Sequence, residues 1–323
     1  MKILILCPGK IPQSVSDIRC FTESLNYYIP RNLSKLAEVD IQSLPLSDNK
    51  TVLQIFEKIE PKYDCILTLG LRYFSRVPPA FLQTLRDQVK CPIVQMHDGT
   101  RFDSDGVDLT LTFKETENIP THRAEAHSQF NKCVGWAADC EIFDIPTTKN
   151  NDLTVLVDHT NYNGGEDFSN EVLAEVFKLK ESDAWKGLYD SVVVKRLGSG
   201  VVETLDSLPY EVEPYDRKKV IPITELAEAY RSADIFVVTH PESLGLVVLE
   251  TAMCGSLVVC KNGFVSKDRL NSINHYCYSD GIIWDDVLPN VNRGLNRDVA
   301  IKNSWSQLAS NIINELTRLV GNL

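Results

Sequence analysis

The stretch from Asp234 to Val259, DIFVVTHPESLGLVVLETAMCGSLVV, sets the strongest constraint on how this chain can fold. Ile235 to Thr239 is short, apolar and β-branched, as a buried strand requires, and Leu246 to Met253 is apolar almost all round, as a buried helix requires. Strand, loop, buried helix and a second apolar strand over Ser256 to Cys260 make a parallel α/β unit. Glu250 interrupts the apolar helix, and Glu242 stands in the loop before it, ahead of Gly245. A lone acid in a buried helix calls for a partner. It is either a structural ion pair with a buried Arg or a contact to a ligand, and Glu242 is correspondingly either a solvated loop residue or part of the same site.

Physical chemistry gives the ligand reading a definite content. Two carboxylates accept hydrogen bonds from hydroxyls, and the free N–H groups at a helix start near Gly245 and Leu246 favour negative charge. Hydroxyls beside phosphate describe a sugar nucleotide.

The block Glu242-Ser243-Leu244-Gly245-Leu246-Val247-Val248-Leu249-Glu250, followed by Ala252-Met253-Cys254-Gly255, resembles the Glu, seven residues, Glu signature of the retaining glycosyltransferases of family four. These belong to the two-domain GT-B class. The likeness extends back through the helix segment from Glu225 to Asp234 and forward through Gly255 to Val259, and it is weaker elsewhere. It implies two Rossmann-like, doubly wound parallel-sheet domains and a nucleoside-diphosphate sugar as donor. It also implies that Glu242 meets the sugar hydroxyls, Glu250 the nucleotide ribose, and Ser243, Leu244, Gly245 and Leu246 the donor around them.

The rest of the chain fits this expectation. Its 323 residues, 43% of them apolar, suffice for two domains, each with a core. Lys2 to Cys7 reads as a first strand and Pro8-Gly9-Lys10 as the turn at its carboxyl end, where open α/β sheets place their ligand crevice. Gly9 is either an ordinary turn residue or, as the resemblance implies, part of a glycine loop against the donor phosphates. A helix is expected over Asp17 to Glu38, interrupted near Pro30, then a strand over 39–44, a helix over 52–59, a strand over 63–69, a helix over 80–89 and strands over 92–96 and 107–113. The fourth of these strands runs into His97 and Asp98. A lone histidine there is structural unless the resemblance holds, in which case His97 faces the donor sugar and the reaction centre.

Val134 to Phe143 resembles the segment that closes the first domain in the family, and the polar run from Pro146 to Asp152 reads as a linker. The expected division is 1–147, 148–303 and a C-terminal helix over 304–323 that can pack back on the first domain. In the second domain, strands are expected over 153–157, 191–194, 234–239 and 256–260, with helices over 169–180, 224–233 and 246–253, the second of these capped by Thr224. One departure matters. The family places an Arg and a Lys after the first strand of this domain to hold the diphosphate, whereas here Asp158 to Asp167 contains no basic residue other than a histidine. Lys195 and Arg196, ahead of Gly198-Ser199-Gly200, are the nearest cationic substitutes; solvated charges at a strand end are the alternative.

Composition narrows the remaining choices. A net charge of −11 argues against broad attraction to nucleic acid, no run of about 18 apolar residues spans a bilayer, and nine scattered cysteines without a Cys-x-x-Cys pair suit reduced thiols in a cytoplasmic protein. No metal-ligand spacing and no Asp-x-Asp of suitable context appears, so no metal or cofactor beyond the donor is expected. Three rivals share the sequence features: a sugar-nucleotide 2-epimerase, a non-catalytic sugar-nucleotide-binding protein, and a phage-type DNA-modifying glycosyltransferase. The acceptor leaves no motif.

Overall fold

A computed structural model describes residues 1–45, 47–69, 79–97, 107–113, 131–146, 151–158, 169–198, 201–208, 221–242 and 245–321. The chain forms two compact units, Met1–Ala137 with Trp305–Leu323, and Ala138–Ser304. The division at Ala137/Ala138 lies ahead of the expected one near 148. The reason is local: Ala138 donates its N–H to Asn303 O (3.1 Å), and Arg231 Nη1 reaches Ile142 O and Asp144 Oδ1, which ties 138–144 to the second unit.

Among the described residues the first unit is built on a six-stranded parallel sheet of β1 (Lys2–Pro8), β2 (Glu38–Leu44), β3 (Cys65–Thr68), β4 (Ile93–His97), β5 (Leu109–Thr112) and β6 (Asn131–Cys133), in the order β2-β1-β3-β4-β5-β6. Central β1 and β3 are buried along nearly their whole length, as strands covered on both faces must be, whereas edge strand β2 is mostly accessible. Helices α1 (Phe21–Leu33), α2 (Asn49–Phe56) and α3 (Pro79–Val89) make the crossovers. The expected long first helix is shorter at both ends. Pro30 sits inside α1 without breaking it, and Ser34 still donates to Pro30 O (2.9 Å). The core under α2 and α3 gathers Leu4, Leu6, Val52, Phe56, Ile66, Leu82, Leu85 and Ile93.

The second unit holds β7 (Leu153–Asp158), β8 (Val192–Gly198), β9 (Val201–Leu205), β10 (Ile235–Val238), β11 (Leu257–Lys261) and β12 (His275–Tyr278), in the order β12-β11-β10-β7-β8-β9. Numbered within the unit this is 6-5-4-1-2-3, the Rossmann order, with its reversal between β7 and β10. Only β9 among the described strands departs from parallel, pairing with β8 antiparallel. Helices α4 (Ser169–Glu181), α5 (Ile223–Ser232) and α6 (Leu246–Met253) connect the strands, and the short α7 (Lys267–Leu270), α8 (Trp284–Val287) and α9 (Arg297–Lys302) follow. Thr224 is not the cap of α5. Pro222 takes that place, its φ of −55° suiting a helix entry, and Leu226 donates to its carbonyl (2.9 Å).

The last helix, α10 (Trp305–Gly321), belongs to the first unit. Trp305 stacks on Tyr28 of α1 with ring centroids 4.9 Å apart, and Asn311 Nδ2 donates to Val134 O (2.9 Å). Among the described residues no helix is long and apolar enough to cross a membrane.

Candidate functional site

Open α/β sheets place their ligand crevice at the carboxyl ends of strands flanking a reversal of strand order, which here are β7 and β10. The pairing Val157↔Val237 puts Asp158, the last residue of β7, level with the end of β10. Asp158 is 2% exposed. Thr239, the residue after β10, donates its hydroxyl proton to Asp158 O and so locks the two strand ends together. His240 follows, with Nδ1 at 3.4 Å from Thr239 Oγ1 and 4.0 Å from Asp158 Oδ2, and with Nε2 at 3.2 Å from Glu242 Oε1. The Glu242 backbone is fixed in turn, its N–H donating to Phe264 O (2.7 Å) in the loop after β11.

Gly245 caps α6 in a left-handed conformation, φ 70°, which a side chain would strain. Its carbonyl accepts from Leu249 N (3.1 Å), while the first N–H groups of the helix have no intrahelical acceptor. Glu250 lies one turn along α6, partly accessible in a helix otherwise mostly buried. No Lys, Arg or His among the described residues lies within ion-pair distance of it. The buried Arg that a structural role required is therefore absent there among the described residues.

The charges in this crevice act on one another. Burial pushes the Glu250 carboxyl up to about 8, and the negative charge of Glu242 adds to the shift. Burial alone would pull the His240 pKa down, but the hydrogen bond to Glu242, the charge of Glu242 and that of Asp158 together outweigh it, so the imidazole titrates above its ordinary value. Asp158, His240 and Glu242 each bring an oxygen or nitrogen within 4.8 Å of the others. Their closest approaches use different ring nitrogens, Nε2 toward Glu242 at hydrogen-bond distance and Nδ1 toward Asp158 beyond it, which is not the convergence a shared cation needs. The sequence pattern did not show this grouping, because Asp158 and His240 are 82 positions apart and meet only through the pairing of β7 with β10. The available signal was a polar residue at the carboxyl end of each strand flanking the reversal.

The other candidates are dispersed. Lys195 and Arg196 fall within β8, on opposite faces. Lys195 Nζ donates to Ser232 Oγ (3.0 Å) at the end of α5, toward the amino edge of the sheet, and Arg196 pairs with Glu203 across the β8–β9 ladder. Neither is a solvated strand-end charge. Gly9 and His97 belong to the first unit. Gly9 has φ 79°, donates its N–H to Leu44 O (2.7 Å) and accepts from Ser43 Oγ (2.8 Å), so its own amide is engaged. The buried Asn26 of α1 fixes this turn by donating to Pro8 O (2.9 Å) and Lys10 O (3.0 Å). His97 ends β4 opposite Thr112. Ser243 and Leu244 lie outside the described residues.

Comparison with solved structures identifies the architecture. AviGT4, a glycosyltransferase of avilamycin A biosynthesis, matches over 100% of this chain and 98% of its own with a TM-score of 0.61 at 12% identity. HepE of Anabaena, solved with UDP and glucose, matches over 99% and 100% with a TM-score of 0.56 at 12% identity. The lipopolysaccharide outer core galactosyltransferase WaaB matches over 98% and 99% with a TM-score of 0.55 at 10% identity. The chain has the GT-B fold. No protein-family model and no curated protein matches the sequence. At these identities the likeness shows the fold, and the chemistry rests on the residues of the crevice.

Proposed function

We propose that the chain is a retaining glycosyltransferase that takes a sugar from a nucleoside-diphosphate donor seated at the β7/β10 crevice. The observation that carries this reading is Glu250: a carboxyl on an apolar helix, its pKa raised by burial, with no cationic partner among the described residues, one helix turn from the Gly245 helix start. Ribose hydroxyls donating to Glu250 would supply what the fold does not. Glu242 would accept from the sugar hydroxyls, and the α6 start at Gly245 and Leu246 would face the diphosphate, with Ser243 and Leu244 lining the donor. HepE was solved with UDP and with UDP-glucose, which makes a uridine nucleotide the first donor to test.

Charge develops on the leaving diphosphate as the glycosidic bond breaks, and helix N–H groups already aimed at that charge stabilise it without reorganising. No protein nucleophile is needed if the acceptor attacks from the face that the phosphate leaves, with that phosphate taking the acceptor's proton. His97 and Gly9 remain candidates for the donor sugar and its phosphates on the strength of the resemblance. Lys195 and Arg196 retain a phosphate role only if they exchange their present partners, Ser232 and Glu203, for the donor.

A thermal-shift panel of UDP, UDP-sugars, other nucleoside diphosphates and plain nucleosides tests the reading. A ligand at 100 times its Kd adds about 2.7 kcal/mol of stability. UDP or a UDP-sugar should raise the melting temperature more than uridine does. A panel in which no nucleotide shifts melting contradicts the donor site.

A further inference from the structure

We infer that His240 is the positioning residue of Glu242, holding its carboxylate in one orientation as a doubly protonated imidazolium. The inference rests on the proposed contact of Glu242 with the donor sugar and adds the group that prepares it.

The argument is one of donors and acceptors. Thr239 spends its hydroxyl proton on Asp158 O, so toward His240 its oxygen offers a lone pair. Nδ1 therefore faces an acceptor, with the buried Asp158 carboxylate behind it at 4.0 Å. Nε2 faces a second acceptor, Glu242 Oε1, at 3.2 Å. A neutral imidazole carries one N–H and can satisfy one of these; the imidazolium satisfies both. Among the described residues, the groups facing the ring are Asp158 at the end of β7, Thr239 after β10 and Glu242 in the loop before α6. Glu250 on α6, its carboxyl pushed up to about 8, adds little charge there at neutral pH. The two described ionisable groups among these, Asp158 and Glu242, are acidic, which favours the charged ring.

The consequence for Glu242 is directional. Its backbone is held by Phe264 O, and one carboxylate oxygen is held by His240, so the remaining lone pairs are presented in a fixed direction rather than swept by side-chain rotation. Without the imidazolium, the carboxylate of Glu242 would lose the one described side-chain group that holds it. It would then rotate about its side-chain bonds and present no fixed acceptor to a sugar hydroxyl.

Two measurements test this, and they separate the failure of the inference from failure of the donor reading. The first needs no ligand: proton NMR titration of the His240 ring in the wild type and in Glu242→Gln. His240 should titrate above its ordinary value of about 6.5 and fall when the Glu242 charge is removed. Titration at or below that value, or indifference to Glu242→Gln, overturns the inference. The second is calorimetry of UDP and UDP-glucose. His240→Ala should weaken UDP-glucose at least about tenfold, as for losing a hydrogen bond to a charged group, and leave UDP unchanged. His240→Gln, whose amide donates without a titratable proton, should restore UDP-glucose binding and make it less sensitive to pH between 6 and 9 (a window of about three units around the His range). Equal losses for both ligands, or no loss in His240→Ala, overturn the role of His240 while leaving the donor site standing. A wild type that binds neither ligand refutes the donor reading and the role of His240 with it.

Discussion

A carboxyl held up to about 8 by burial and by a neighbouring negative charge is largely protonated in the free protein at neutral pH, and hydroxyls that donate to it favour its ionised form. Two expectations follow for Glu250. Between its ordinary pKa and about 8 the native state binds more protons at this site than the unfolded chain, so the contribution of Glu250 to stability is lost as pH rises through that window. Glu250→Gln should therefore melt higher than the wild type near pH 8 and much like it at acid pH. The same variant should bind UDP more weakly by about 1.5–3 kcal/mol, measured by calorimetry. A variant that melts lower across the range would show a structural ion pair instead. Glu242 and Glu250 were legible in the sequence because an acid stands out in an apolar helix and beside a helix-start glycine. His240 and Asp158 were not, because a histidine before a proline and an aspartate at a strand end carry no periodicity, and only the β7–β10 pairing unites them.

Strand β10, which leads to both acids, is held in place by an ion pair at its base. Asp234, 3% exposed at the entry to β10, accepts from Arg293 Nε (3.1 Å) and Nη2 (2.9 Å) and from Thr154 N (2.9 Å), and Arg293 Nη1 also donates to Arg231 O (2.7 Å). Removing one partner leaves the other charge uncompensated, so Asp234→Ala should lower stability by about 3–5 kcal/mol in urea unfolding. Gly255, after α6, lies at φ +91° with the place of a Cβ only 2.9 Å from Arg293 Cβ. Gly255→Ala should cost about 1–3 kcal/mol through backbone strain and overpacking against the same arginine. Losses within about 0.5 kcal/mol would show that neither contact matters to the fold. The central strands and helices of both units could be read from apolar runs. Edge strand β2 could be read from its alternation, but the other edge strands could not: β12, HYCY, buries one residue of four, β9 buries only Leu205, and β6 is three residues long. Such strands are specified by the ladder they join.

At the scale of the whole chain, alternation of strands and helices sufficed to read two Rossmann-like units, because parallel sheets covered on both faces write long apolar strands into the sequence. The sequence also allowed the last helix to return to the first unit, and Trp305 against Tyr28 is the contact that fixes it there. The chemistry of the chain follows from these units only if the β7/β10 crevice handles a glycosyl donor. A retaining reaction predicts that an α-linked UDP-sugar yields an α-linked product, or the α anomer of the free sugar when water is the acceptor; proton NMR of the first product formed decides this, and a β product would return attention to His97 as a general base. The most direct measurement is UDP release from a panel of UDP-sugars by the wild type and by Glu242→Ala, with UDP affinity measured alongside. The account predicts turnover of at least one UDP-sugar, slowed by about tenfold or more in Glu242→Ala with UDP affinity unchanged, since the proposed partner of Glu242 is the sugar and not the nucleotide. Equal loss of turnover and UDP affinity, or turnover indifferent to Glu242, would contradict it.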